Sequence, residues 1–179
     1  GGQCGALIRA FDWSRTPLGP MSTWPQSLRT SVASMLGAGI PLNVSWGRDP
    51  ADTINIYNDQ SIFLFGSRFP KSLGERARDT WPEVWEQFLL PVLQQVYSTG
   101  KAVFVEETLF TLERYGYPEE VYSNNNYSPI WDEEGRVSGC LVCIIDITEK
   151  VHGQRRLQML LELGRNAAEA STSPEVYQA

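Results

Sequence analysis

The chain has 179 residues, of which 42% are hydrophobic and 20% charged, with a formal net charge of −6. That length suits one domain with extensions and is enough to bury a real core. The acidic balance and the lack of any basic run exclude a phosphate-neutralising nucleic-acid surface. Membrane insertion is not expected either, since no apolar run approaches the about 20 residues a spanning helix needs.

Gly1 to Ala10 lacks the apolar core of a secretory leader. The three cysteines have no framework spacing, which suits a reducing, cytoplasmic compartment. Phe11-Asp12-Trp13-Ser14-Arg15-Thr16-Pro17-Leu18-Gly19-Pro20 reads as irregular. Pro25 then predicts a helix to about Leu36, because proline suits the first turn and Ser22 or Thr23 can cap it. Leu28, Val32, Met35 and Leu36 recur on one apolar face of that helix, and Gly37, Gly39 and Pro41 end it.

Two short strands follow, Leu42 to Trp46 and Thr53 to Tyr57, joined by the turn-forming Gly47-Arg48-Asp49-Pro50. Asn58-Asp59 opens a short helical stretch to Phe65, and a loop runs from Gly66 to Gly74. A helix opening near Pro82 carries Trp85, Leu89, Val92, Leu93 and Val96 on one face, with a break near Leu90 forced by Pro91 and a stop at Gly100. Val103 to Leu112, Glu119 to Ile130 and Cys140 to Ile147 read as strands.

The last two of these strands flank Asp132-Glu133-Glu134-Gly135, a hairpin turn in which Gly135 supplies the positive φ. The expected architecture is α+β: an antiparallel five-stranded sheet with helices on one face. After Thr148 a charged helix carries Leu157, Leu160, Leu161, Gly164, Ala167 and Ala168 as a stripe. Such a stripe pairs with a second copy or packs on its own domain. Ser173-Pro174-Glu175-Val176 reads as a new helix start, hence the beginning of a following domain.

The order of these elements, with Thr53-Ile54-Asn55-Ile56-Tyr57-Asn58-Asp59 and the closing Asp146-Ile147-Thr148, resembles PAS sensor domains. Phe11-Asp12-Trp13-Ser14, Thr16-Pro17-Leu18-Gly19-Pro20 and Trp24-Pro25 resemble the cap that precedes PAS domains in sensor histidine kinases, hybrid kinases included. Trp81-Pro82-Glu83-Val84-Trp85 and Tyr127-Ser128-Pro129-Ile130 match the same subgroup. The resemblance implies an N-terminal cap over 1–39, a PAS domain over 40–148, a signalling helix over 149–170 and the start of another domain over 171–179. It further implies a non-catalytic module followed by GAF or kinase domains in the same chain.

Candidate chemistry is sparse. Cys140 and Cys143 are three apart on a strand, so their thiols point to opposite faces and do not converge. Cys4 lies in a terminus with no visible anchor. His152, the only histidine, lacks the neighbours of a kinase phosphoacceptor and leaves neither a His-based triad nor a metal cluster. Glu106-Glu107, Glu119-Glu120 and Glu133-Glu134 read as solvated. By resemblance, heme is disfavoured because no histidine lies from Pro82 to Ser98. A photoreactive flavin adduct is disfavoured because no cysteine lies from Gly74 to Trp85. A non-covalent flavin or another small molecule stays open.

In Asn124-Asn125-Asn126, Asn125 shares a strand face with Ser123 and Tyr127. By resemblance to flavin-binding relatives that face looks into the pocket; the other reading is a solvent or partner face. Trp46, Trp81 and Trp85 fall where core or pocket walls belong, with core as the first reading. With Tyr57, Ser123, Asn125, Tyr127 and Ile144 they complete the candidate pocket. Asp146 and Thr148, at a strand-to-helix junction, are the candidate signal relay. Leu157, Leu160 and Leu161 are the candidate seam of a homodimer that also uses the cap helix. The favoured reading is a PAS sensory and dimerisation module. Its rivals are a constitutive scaffold without ligand and, from another class, a small α+β enzyme.

Overall fold

The computed structural model describes residues 1–172, with side chains to residue 168; the expected helix start at Ser173 lies outside the described residues. The chain divides into a unit Gly1–Asp146 and a second unit that begins at Ile147. In the first, the elements are α1 (Gly2–Ala10), α2 (Gln26–Gly37), β1 (Leu42–Trp46), β2 (Ile54–Tyr57), α3 (Ile62–Phe65), α4 (Ala77–Thr80), α5 (Pro82–Val84), α6 (Leu90–Thr99), β3 (Val103–Leu112), β4 (Glu119–Trp131) and β5 (Val137–Asp146). The second unit contains α7 (Thr148–Thr172). The expected strands and the Pro25 helix are present within a few residues of the expected bounds.

All five strands form one antiparallel sheet in the order β2-β1-β5-β4-β3. In the β4–β5 turn Gly135 has φ 76°, as the hairpin reading required. The Asp132 carboxylate organises that turn, accepting from the backbone N–H of Glu134 and Arg136 and from the Ser138 hydroxyl. The outer edge of β2 is covered, because Asn55 exchanges backbone hydrogen bonds with Gly74 and Glu75 and the Thr53 carbonyl accepts from Ala77 N–H, which leaves no open template for a further strand there. On β3 a bulge between Val105 and Thr108 places Glu107 at φ 45°. There its N–H donates to Asn124 Oδ1 at 2.9 Å.

Pro91 breaks the helix as anticipated. Lacking an N–H, it cannot serve the carbonyl four residues back, and a π turn at Trp85–Leu89 precedes α6, with Leu90 N–H reaching the Trp85 carbonyl. Trp85, Val92, Leu93 and Val96 then pack on Tyr127, Cys140 and Val142.

The other face of β1 and β2 is covered by the N-terminal segment. Leu28, Val32 and Met35 of α2 are buried with Val44, Trp46, Ile54 and Ile56. The α2 stripe therefore packs inside the domain. Trp13 and Trp24 meet edge to face at 5.0 Å, and their indole N–H groups donate to the Ile8 and Gly19 carbonyls.

Remote side chains satisfy the helix ends that local sequence leaves bare. Asp59 accepts from the backbone N–H of Gln3 and Cys4 at the start of α1, at 2.8 and 2.6 Å. Glu133 accepts from Ser27 N–H and hydroxyl at the start of α2. Asn58 donates to the Met35 and Ile40 carbonyls and accepts from Leu42 N–H, closing the far end of α2. Two expectations change accordingly. Cys4, buried and with its thiol pushed up to about 12 chiefly by burial, is anchored. Glu133 is a cap rather than a merely solvated turn residue.

Two outcomes follow from this packing. Leu28→Ala should cost about 2–5 kcal/mol in urea unfolding, the range for emptying a fully buried leucine site. A loss below about 0.5 kcal/mol would mean the cap is not part of the core. The second concerns acid. The backbone N–H of Cys4 holds Asp59 below its ordinary carboxyl value of 3.8, and that of Ser27 holds Glu133 below 4.5. Depressed carboxylates stabilise above those values and cease to as pH falls through the lower, folded-state ones. Asp59→Asn with Glu133→Gln should thus lower the melting temperature at pH 7. The gap to wild type should shrink steadily below about pH 4. A gap that stays constant down to pH 2.5 would contradict the capping role.

Candidate functional site

Strand parity puts Val121, Ser123, Asn125 and Tyr127 of β4 on the face covered by α3 to α6, beside Ile144 of β5 and Phe110 and Leu112 of β3. Leu64, Trp81, Val84 and Leu89 cover them from the helical side. Between the two layers lies a cavity of about 50 Å³. Its lining is apolar apart from Ser123, Asn125 and Tyr127, and it holds no charged side chain. The volume exceeds what one water needs and falls far short of the about 300–1,000 Å³ of drug-sized ligand sites.

Asn125 is 0% exposed. Its Oδ1 accepts from the Ser123 hydroxyl and its Nδ2 donates to the Ser123 carbonyl, both at 3.2 Å. Asn124 and Asn126 lie on the opposite face, where Asn126 Nδ2 donates to the Ser128 hydroxyl. Of the two readings of the asparagine run, the structure places Asn125 on the cavity wall. Tyr127 is buried beside it, edge to face with Phe88 at 6.2 Å, and burial pushes its phenol well above the usual range.

A second cavity, of about 20 Å³, is lined by Asn43 and Ser61 together with Leu64, Trp81 and Ile144. Behind Asn43 runs a buried polar chain. Asn43 Nδ2 donates to Asn55 Oδ1 at 3.2 Å, and Asn55 Nδ2 donates to the Thr80 hydroxyl at 3.1 Å.

Trp81, Ser123, Asn125, Tyr127 and Ile144 thus converge on one cavity, and the other three pocket candidates do not. Trp46 is on the far face under α2, where its ring lies over Gly139. A Cβ at Gly139 would come within 2.6 Å of that ring. Tyr57 stacks on Phe65 at 3.8 Å and shares a hydrogen bond with the Ser72 hydroxyl. Trp85 is core beneath α6. Sequence reasoning missed Leu64, Val84, Leu89, Phe110, Leu112 and Val121 as lining. Alternation along β3 and β4 marks Phe110, Leu112 and Val121 as sharing a face, and that was the available signal.

Around the sheet's exit, Asp146 ends β5 opposite Ser123. Arg114, buried, ties three elements there. It pairs with Glu119 at 3.2 Å, lies 3.9 Å from Asp146 and donates to the Phe63 carbonyl of α3. Thr148 opens α7. On α7, Leu157, Leu160 and Leu161 are 60–67% exposed.

Among the described residues, no group of three or more His, Cys, Asp or Glu side chains is arranged to hold a metal. Cys140 is core and Cys143 faces the other way, so they do not converge. The largest carboxylate cluster, around a surface groove of about 420 Å³, is internally engaged. In it Asp52 meets Arg76 and Arg78, Asp132 and Glu134 meet Arg136, and Glu133 caps α2. No described helix is long and apolar enough to cross a membrane.

Comparison with known proteins gives the same fold. The PAS domain of Bordetella pertussis BvgS aligns with TM-score 0.51 at 22% identity, covering 75% of this chain and 96% of that one. The histidine kinase ThkA, solved in complex with the response regulator TrrA, aligns with TM-score 0.51 at 23% identity, over 79% of this chain and 39% of that one. An RNA-binding light-oxygen-voltage receptor aligns with TM-score 0.51 at 21% identity and 86% coverage; the present chain spans only 42% of its length. No curated protein matches. The family described as "PAS fold" matches residues 46–152. That match runs from the end of β1 through the other four strands into the first turn of α7, more than half of the chain. This chain belongs to the PAS-fold family.

Proposed function

We propose that the chain is a non-catalytic sensory and dimerisation module of a two-component histidine kinase, working in the cytoplasm. GAF or kinase domains would follow it in the parent protein. The observation that carries this reading is the course of β5. It places Ile144 against the cavity and two residues later Asp146 at the Arg114 ion pairs, and the chain then enters α7 with its exposed leucines. A change of packing in the cavity would shift β5 and the Arg114 cluster together. The Asp146–Thr148 junction would pass that shift to α7 as a change of population between two packings. Similarity to the histidine kinase ThkA of known structure supports this setting.

The homodimer seam in this reading is α7, through Leu157, Leu160 and Leu161, whose side chains are exposed. The smallness of the cavity favours a second reading, a constitutive scaffold whose interior is filled by its own side chains.

Two measurements bear on these readings. Light scattering should give a dimer for wild type and a monomer for Leu157→Asp with Leu160→Asp, since unpaired carboxylates in an apolar seam are costly to bury. A monomeric wild type, or a double variant that stays dimeric, would remove α7 as the seam. Native mass spectrometry of freshly purified protein, with a UV–visible spectrum, separates sensor from scaffold. A copurifying small molecule with no Soret band and no blue-light bleach is the expected result for a sensor. A clean apo-protein dimer would favour the scaffold.

A further inference from the structure

The two cavities share a wall made by Leu64, Trp81 and Ile144. Of these three shared lining residues, Trp81 has the largest side chain, so its displacement would open the most space between them. How it is held is unusual for a core tryptophan. Its inner side packs against Phe65, with ring centroids 5.1 Å apart. The Arg68 guanidinium also lies over the ring, 4.7 Å from its centroid. Arg68 in turn donates to the Thr80 carbonyl at 2.5 Å and pairs with Glu83, and its side chain is 19% exposed. The indole is therefore clasped between the core and an ion pair near the surface. Trp81 immediately precedes Pro82, and its own φ and ψ, −126° and 51°, lie outside the helical region.

The small cavity adds a second, independent observation. Asn43 lines it, and the amide's Nδ2 end is engaged with Asn55. Its Oδ1 is buried without a hydrogen-bond partner among the described residues. A buried acceptor left unpaired is costly, so the site calls for a donor. The larger cavity carries Ser123 and Asn125, and apart from these and Tyr127 its lining is apolar and uncharged.

We infer that Trp81 is a movable partition clasped by Arg68 and Glu83, and that its displacement joins the two cavities into one pocket for a neutral, mainly apolar molecule bearing a hydrogen-bond donor for Asn43. A charged ligand is rejected because no lining side chain would compensate its lost hydration. This rests on the sensory reading above and names the ligand class and the control of the same site. It reconciles a sensor with so small a cavity: the closed form is the one in which the protein's own indole occupies the space.

The test uses three probes of similar shape: indole, which is neutral with one N–H donor; naphthalene, which has no donor; and indole-3-acetate, which is charged. Binding to the whole chain and to Trp81→Ala is measured by calorimetry. Indole should bind Trp81→Ala at least about tenfold more tightly than wild type, and more tightly than naphthalene by a similar factor, the value of one satisfied buried acceptor. Indole-3-acetate should not bind. Equal affinity for all three probes, or no indole binding to a folded Trp81→Ala, would overturn the inference.

Arg68→Ala provides a variant that leaves the core side chains in place. In protein labelled with 5-fluorotryptophan, six resonances are expected, and Trp81→Phe identifies one of them. That resonance should broaden or split in Arg68→Ala; a single sharp line at the wild-type shift would exclude the clasp. A monomeric protein whose Trp81→Ala variant binds indole would defeat the relay proposal alone. A dimer in which no variant binds indole would defeat the partition alone.

Discussion

β1 is an interior strand of the sheet with hydrogen-bonded neighbours on both edges, β2 beside it in sequence and the central strand β5 nearly the whole domain away. That long-range pairing sets Trp46 opposite Gly139 and Asn43 opposite Val142, and forming it costs the entropy of closing a long loop. Gly139 is what permits it, because the Trp46 ring occupies the space of any side chain there. Once β1 and β5 are in register, period-two alternation decides the rest. Asn43, Ser45, Val142 and Ile144 face α3 to α6, while Val44, Trp46 and Leu141 face the other way.

Both faces of the β1–β2 half are buried, and this explains why the cap is joined so closely to the sheet. Apolar packing supplies the bulk of the attachment, through Leu28, Val32, Met35 and the Trp13–Trp24 pair. Orientation comes from polar side chains at helix ends. Asn58 and Asp59, adjacent in sequence, serve opposite kinds of orphan group: Asn58 the carbonyls that end α2, Asp59 the amides that start α1. Glu133 does the same for α2 from the far hairpin. An anionic side chain at a helix N-terminus also meets the positive end of the helix dipole, so these caps combine a hydrogen bond with a favourable field.

The inner face mixes apolar walls with amides and hydroxyls, and the amides are unequally engaged. Asn55 is tied at both ends of its side chain, Asn125 only to its neighbour Ser123, and Asn43 at one end alone. Fully satisfied polar networks rigidify a core, whereas incompletely satisfied ones leave room for an occupant. The gradient along this face, from the closed Asn55–Thr80 end to the cavity walls, matches where empty space lies. The same gradient separates what Trp46 and Trp85 do, which is to fill, from what Trp81 does, which is to divide.

By itself the sequence determines the elements whose signals are local. The strands read from β-branched alternation, Gly135 marks the hairpin turn, Pro25 the entry to α2 and Pro91 the break before α6, because each of these acts within a few residues. Parity likewise puts Ser123, Asn125 and Tyr127 on one face. Only the tertiary structure decides which face that is and what lies over it. α1 carries no capping side chain of its own, and its cap comes from Asp59, more than fifty residues on. Glu133 looks solvated until α2 is laid beside it. Trp46, Tyr57 and Trp85 share the composition of a pocket wall with Trp81, yet both faces of the β1–β2 half are covered. Burial and aromatic character therefore cannot tell the layer that holds the cavity from the layer that seals the cap. That distinction exists only once β1 has paired with β5, since side-chain direction in a strand is defined by the neighbours it pairs with.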